Sequence, residues 1–171
     1  MPHRLGEALA WRGGCLGPDL RRCPYKISKP NLDDEEKTIS AAVSWVLRGD
    51  AGQRAILAWH MGWKSAQEAS GSDWMAFYLT HLLTDPYAAV RYVAKRSLKH
   101  LPGFEDLQYD YLGTADQRRA VQEKMLPRAK AATGSSRTKP ALLINADGSW
   151  QTNKISNLTP RRDNHPMELL E

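Results

Sequence analysis

Apolar residues recur at Ile39, Ala42, Val43, Val46 and Leu47 with the spacing of one helical face, until Gly49 interrupts them. Asp33 opens this run as a predicted N-cap, and Glu36, three positions on, is placed to bond back to the cap amide. Asp50 predicts the start of a second helix reaching about Trp63. Its interior, Ala55 to Met61, is apolar nearly all round, which suits a helix covered on more than one side. A polar loop is predicted over Ser65 to Gly71. A third helix then shows its buried stripe as Met75, Tyr78, Leu79, Leu82 and Leu83, with Ser72 or Asp73 as cap. The fourth carries Val90, Val93, Ala94, Ser97, Leu98 and Leu101 on one side and ends at Pro102 and Gly103. Pro86 falls at its first position, where a missing N–H costs nothing.

The four helices form two similar pairs. Ile39, Val43, Val46 and Leu47 align with Met75, Leu79, Leu82 and Leu83 at a constant offset of 36 residues. Asp50 aligns with Asp85, and Ala55 and Ala58 with Val90 and Val93, at 35, the lost residue lying in the turn. A period of this size predicts stacked helical hairpins. The pattern divides the chain into residues 1–32, a short helix at 5–12 followed by an irregular connection; 33–103, the two hairpins; 104–133, a capping helix region beginning at Thr114 with Gln117 in its capping box; and 134–171, a linker and irregular tail. Pro127 is expected to kink or end the capping helix. Within the tail, Ala141 to Ile144 before Asp147-Gly148 reads as a short strand and turn.

The 171 residues suffice for one ordinary domain, and no apolar run is long enough to cross a bilayer, so no membrane insertion is expected. The start shows no secretory leader, which gives a cytoplasmic expectation for the chain as written. The net charge of +5 points to an anionic partner only weakly, because residues 33–103 hold eight basic and eight acidic side chains. Cys15 and Cys23, separated by seven residues, match neither a Cys-x-x-Cys site nor a haem-attachment motif; free thiols and a disulfide both remain open.

Candidate chemistry is sparse. His3, His60, His81, His100 and His165 show no metal-ligand spacing, and His60 and His81 read as structural. Asp73 and Asp85 are accounted for as caps, and Trp59, Trp63 and Trp74 as core. One face stands out. Arg91, Lys95 and Lys99 recur four apart on the fourth helix with Tyr92 beside them, a basic ridge that fits an acidic partner or a plain solvated face.

These residues resemble HEAT repeats: Asp85-Pro86, Val90-Arg91, Ala94 and Leu98 match the Asp, Val-Arg, Ala and Leu positions of a second copy, while the first keeps Asp50 but has Ala55-Ile56 for Val-Arg. More narrowly, Gly49 to Ala55, Ala58 to Trp63 and Arg91 to Leu98 are similar to the C-terminal HEAT-repeat region of bacterial multihaem c-type cytochromes. The resemblance implies an all-α fold, a short α-solenoid of HEAT-like hairpins with an irregular N-terminal arm and C-terminal tail. It implies a non-catalytic scaffold, not an enzyme, that docks a protein partner or adjacent domain or self-associates, with Arg91, Tyr92, Lys95 and Lys99 as partner-binding residues. No cofactor is expected in this chain; haem would sit in an upstream module, in a periplasmic assembly. Some HEAT-like solenoids are instead DNA glycosylases, and for that alternative Arg91, Lys95, Lys99, Trp59 and Asp73 would line the basic face.

Overall fold

The computed structural model describes residues 33–133 and 139–165, and these are all-helical, without a strand. The predicted helix at 5–12, the connection that follows, Cys15 and Cys23, the linker at 134–136 and the end of the tail lie outside the described residues. From Asp34 onward the chain belongs to one compact unit.

The first predicted helix is two. α1 (Asp34–Thr38) stops before Ser40, whose extended backbone and hydroxyl cap α2 (Ala41–Arg48) by accepting the Val43 N–H. Gly49 ends α2, and Asp50 and Gln53 form a reciprocal capping box that starts α3 (Ala51–Met61). Where a loop was predicted, α4 (Lys64–Ser70) forms, tied to the end of α3 by Gln67 Nε2 donating to the Met61 carbonyl. Its polar sequence has no apolar face to announce it.

α5 (Met75–His81) is buried at every residue from Met75 to Thr80, then tightens into a 3-10 turn, Leu82–Thr84, ahead of the bend at Asp85. α6 (Ala88–Leu98) begins two residues after Pro86, not at it, with Asp85 Oδ1 accepting the Tyr87 N–H. α7 (Ala115–Ala132) starts at the predicted Thr114/Gln117 capping box and runs unbroken through Pro127. Pro127 and Glu123, whose carbonyl loses its helical N–H partner, are both exposed, on the solvent side of α7 where that loss is least costly.

The segment predicted as a strand is a 3-10 turn, Pro140–Leu142, followed by Leu143 in the left-handed region (φ 58). Leu143 is almost fully buried there, and only isolated bridges of Ile144 to Lys139 and Trp150 form. The Asp147-Gly148 turn is present: the Gly148 N–H donates to the Asn145 carbonyl. α8 (Thr152–Leu158) and a 3-10 turn, Thr159–Arg161, are the last elements among the described residues.

Three layers result. α2 and α5 are central; α3 and α6 cover one side, with α3 packed along α6; α7, α8 and the turns around them cover the other. α3 and α6 run parallel: Arg54 near the start of α3 meets Asp85 before α6, and Gly62 after α3 faces Ser97 near the end of α6. The predicted stripes are inside, with Val43, Val46, Leu47, Leu79, Leu82, Leu83, Val90, Ala94 and Leu98 all sealed from solvent. Trp150 closes the far layer by stacking on Phe77, ring centroids 3.7 Å apart and planes 12° from parallel.

Candidate interaction surface

The sequence placed a basic ridge on α6, and the structure divides it. Arg91 is turned inward: Nη1 donates to the carbonyls of Asp85 (2.7 Å) and Pro86 (2.8 Å), and Nε to that of Tyr111 (2.7 Å). Its guanidinium closes the bend before α6 and is unavailable to a ligand. Tyr92 is 46 % exposed and meets Tyr111 edge-on, while Lys95 places Nζ 6.0 Å from the Tyr111 ring centre. Lys99 stands one turn further along, and Arg96 is exposed between them. Lys95, Arg96 and Lys99 take part in no salt bridge among the described residues.

Trp74 is core, but Trp59 and Trp63 are not: they are 47 % and 42 % exposed. α3 buries Ala51, Arg54, Ala58 and Met61, one stripe whose two alanines let α6 approach closely. That leaves Ile56, Trp59 and Trp63, at i, i+3 and i+7, on a second stripe facing water. The two indole rings touch edge-on at 4.4 Å, and His60 packs edge-on against Trp63 at 4.6 Å. Trp59, Gly62 and Trp63 face Arg96, Ser97 and His100 across a cleft of about 90 Å³.

Four of the five large hydrophobic residues that stand exposed among the described ones, Ile56, Trp59, Trp63 and Tyr92, thus sit on α3, on α6 and in the junction between α3 and α4. No acidic residue occurs in 51–67 or 86–104, so this face combines aromatic rings with cations and lacks carboxylates of its own. Sequence reasoning assigned both tryptophans to the core; the signal against it was the alternative Ala51/Arg54/Ala58/Met61 stripe, which needs only one side of α3.

A larger groove, about 550 Å³, opens on the other flank of α6, between Lys95 and Lys99, the loop at 107–111, and Gln117 and Val121 of α7. Leu107 and Tyr109 form its buried floor, the Tyr109 hydroxyl being held by the Leu83 carbonyl and pushed up in pKa by burial.

The remaining candidates have structural partners. Asp73 pairs with Lys139, Oδ1 to Nζ at 3.0 Å. His81, against Phe77, is held neutral at ordinary pH: burial first, then the charges of Arg162 and Lys130, push its pKa down to about 4. Among the described residues no three His, Cys, Asp or Glu side chains gather as a metal site would require. No helix is long and apolar enough to cross a membrane. Compared with protein-family models, with curated proteins and with solved structures, the chain finds no match.

Proposed function

We propose that this chain is a non-catalytic interaction module, two HEAT-type hairpins (α2/α3 and α5/α6) that present the outer face of α3 and α6 to a protein partner. One observation carries the reading: Ile56, Trp59, Trp63 and Tyr92 stand exposed on and beside parallel helices, with Arg96 among them and no acidic residue in segments 51–67 and 86–104. Trp, Tyr and Arg are the residue types on which binding energy concentrates at protein interfaces, and patches of exposed apolar surface mark such sites. The parallel stacking of α3 on α6 and the shared aspartate at each bend support the repeat reading. On the resemblance to multihaem cytochromes, the partner would be a haem-bearing domain.

The DNA-glycosylase alternative has less support, because two of its five residues are engaged elsewhere: Arg91 on backbone carbonyls and Asp73 on Lys139. The test is site-specific photocrosslinking in extract of the source cells, with a photoreactive phenylalanine at Tyr92 and, as control, at the exposed Glu123 of α7. A discrete protein adduct at Tyr92 that disappears in Trp59→Ala/Trp63→Ala supports the reading. Equal labelling at both positions, or a gel shift with duplex DNA at low salt that Trp59→Ala abolishes, overturns it.

A further inference from the structure

The loop beside the larger groove has unused backbone. From Leu107 to Asp110 the chain is neither helix nor turn, and burial alternates along it, Leu107 and Tyr109 buried and Gln108 and Asp110 exposed, as it does along a strand with one covered face. The N–H groups of Gln108, Tyr109 and Asp110, and the carbonyls of Leu107, Gln108 and Tyr109, make no hydrogen bond among the described residues. Across the groove stand Lys95, over the Tyr111 ring, and Lys99, neither in a salt bridge among the described residues. Four residues along a helix rise by about 6 Å. Two residues along an extended chain advance by about 6.6 Å and return the side chain to the same face.

We propose that this groove receives an extended acidic segment of the protein partner, added as a strand along Leu107–Asp110, with carboxylates on alternate residues paired to Lys95 and Lys99. The inference rests on the interaction-module reading and deepens it by naming the chemistry of the bound segment. Main-chain pairing to the free edge supplies register, and the two ammonium groups select side chains. Asp110 also lines the groove, its Oδ1 holding the Leu112 N–H, and its charge sets a limit: the acidic pair must be flanked by a neutral residue where the segment passes Asp110. The recognised pattern is therefore acidic-x-acidic, not an unbroken acidic run.

The experiment is fluorescence anisotropy of the full chain at low salt with labelled octapeptides. These carry a central Glu-Val-Glu, Gln-Val-Gln or Glu-Glu-Val, or Glu-Val-Glu with its alternate amides N-methylated. Glu-Val-Glu is expected to bind at least tenfold more tightly than each of the others, and Lys95→Glu or Lys99→Glu to remove that preference. Trp59→Ala/Trp63→Ala leaves peptide binding within twofold, because the indoles lie on the other flank of α6. Equal binding of all four peptides, insensitivity to both lysine variants, or tighter binding of an oligothymidylate of equal charge overturns the proposal. A Tyr92 adduct obtained alongside a failed peptide preference removes the groove while leaving the module reading in place; a peptide preference without the adduct does the reverse.

Discussion

Arg54 and Asp85 meet with both side chains wholly out of solvent, Nε 2.8 Å from one carboxylate oxygen and Nη2 3.2 Å from the other. The pair links α3 to the bend before α6 and is not isolated. Arg162 Nη1 donates to the same carboxylate at 3.1 Å, and Arg54 Nη1 reaches the carbonyls of Gly49 and Asp163. One buried carboxylate thus joins α3, the bend before α6 and the returning segment at Arg162. Burial depresses the pKa of Arg162, whereas Asp85 beside it favours the charged form.

The repeat register treats Asp50 and Asp85 as equivalents, yet their surroundings differ. Asp50 is a partly exposed cap. Replacing Asp85 by Asn would leave two arginines facing a neutral amide, and breaking such a buried group costs roughly 3–5 kcal/mol. Asp50→Ala should cost about 1 kcal/mol, the loss of one cap. Urea unfolding of the two variants measures the difference directly, and equal losses would reduce Asp85 to a turn residue.

How the sequence conceals this follows from distance. The stripes of α2, α5 and α6 are periodic within a dozen residues and could be read locally, as could the Thr114 capping box. Asp85, however, finds its partners 31 and 77 positions away, and no local pattern pairs them. The one clue was Arg54 itself, a cation in register with Ala51, Ala58 and Met61 on the inner face of α3. Trp59 and Trp63 were misplaced for a related reason: a helix apolar nearly all round does not disclose which side its neighbours occupy. The Leu107–Asp110 stretch is too short, and α8 and the segment before it too irregular, for periodicity to register; packing of Trp150 and Ile155 determines α8 and that segment instead. Tyr92, Lys95 and Lys99 lie on one flank of a regular helix, a placement that spacing discloses, whereas the inward turn of Arg91 depends on carbonyls at a bend.

Arg91 and its neighbours on α6 should therefore separate cleanly in stability measurements. Arg91→Leu strands the three carbonyls that the guanidinium serves, and hydrogen bonds to charged groups contribute about 1.5–3 kcal/mol each, so a loss of at least that size is expected. Lys95→Glu and Lys99→Glu carry no such burden and should stay within about 0.5 kcal/mol of the parent. Denaturant midpoints of the three variants separate a buried brace from two lysines that the fold does not need.

Gly62 reports on the closeness of α3 to α6. A Cβ there would lie 2.7 Å from Ser97 Oγ and 3.1 Å from Ser97 Cα, so relief requires the helices to part. Backbone strain is not the issue, since its φ is −79°. Gly62→Ala is expected to destabilise by ~1–3 kcal/mol, the range for overpacking. Adding Ser97→Gly should restore part of the loss by removing the hydroxyl and its carbon, though not the backbone contact. Thermal melts of the single and double variants test this, and a Gly62→Ala protein as stable as the parent would contradict the parallel packing.

His81 makes a pH signature predictable in sign. Its folded pKa is near 4 against an ordinary 6.5, chiefly through burial, with Arg162 and Lys130 adding to the shift, and Nδ1 is buried without a hydrogen-bond partner. Above pH 6.5 the ring is neutral in both folded and unfolded chains, and its contribution to stability is constant. As pH falls from 6.5 to 4 the unfolded chain takes up a proton that the folded chain refuses, so stability is lost through that window. The shift corresponds to about 3 kcal/mol lost by pH 4, after which folded His81 also protonates and the loss levels off. Carboxylates titrate in the same acid range, so the diagnostic quantity is the difference between the parent and His81→Leu. That difference should be small at pH 7.5, grow in favour of the leucine variant as pH drops below 6.5, and flatten below pH 4. Urea midpoints of both proteins at half-unit intervals give the curve, and parallel profiles would show that His81 titrates alike in the folded and unfolded chains.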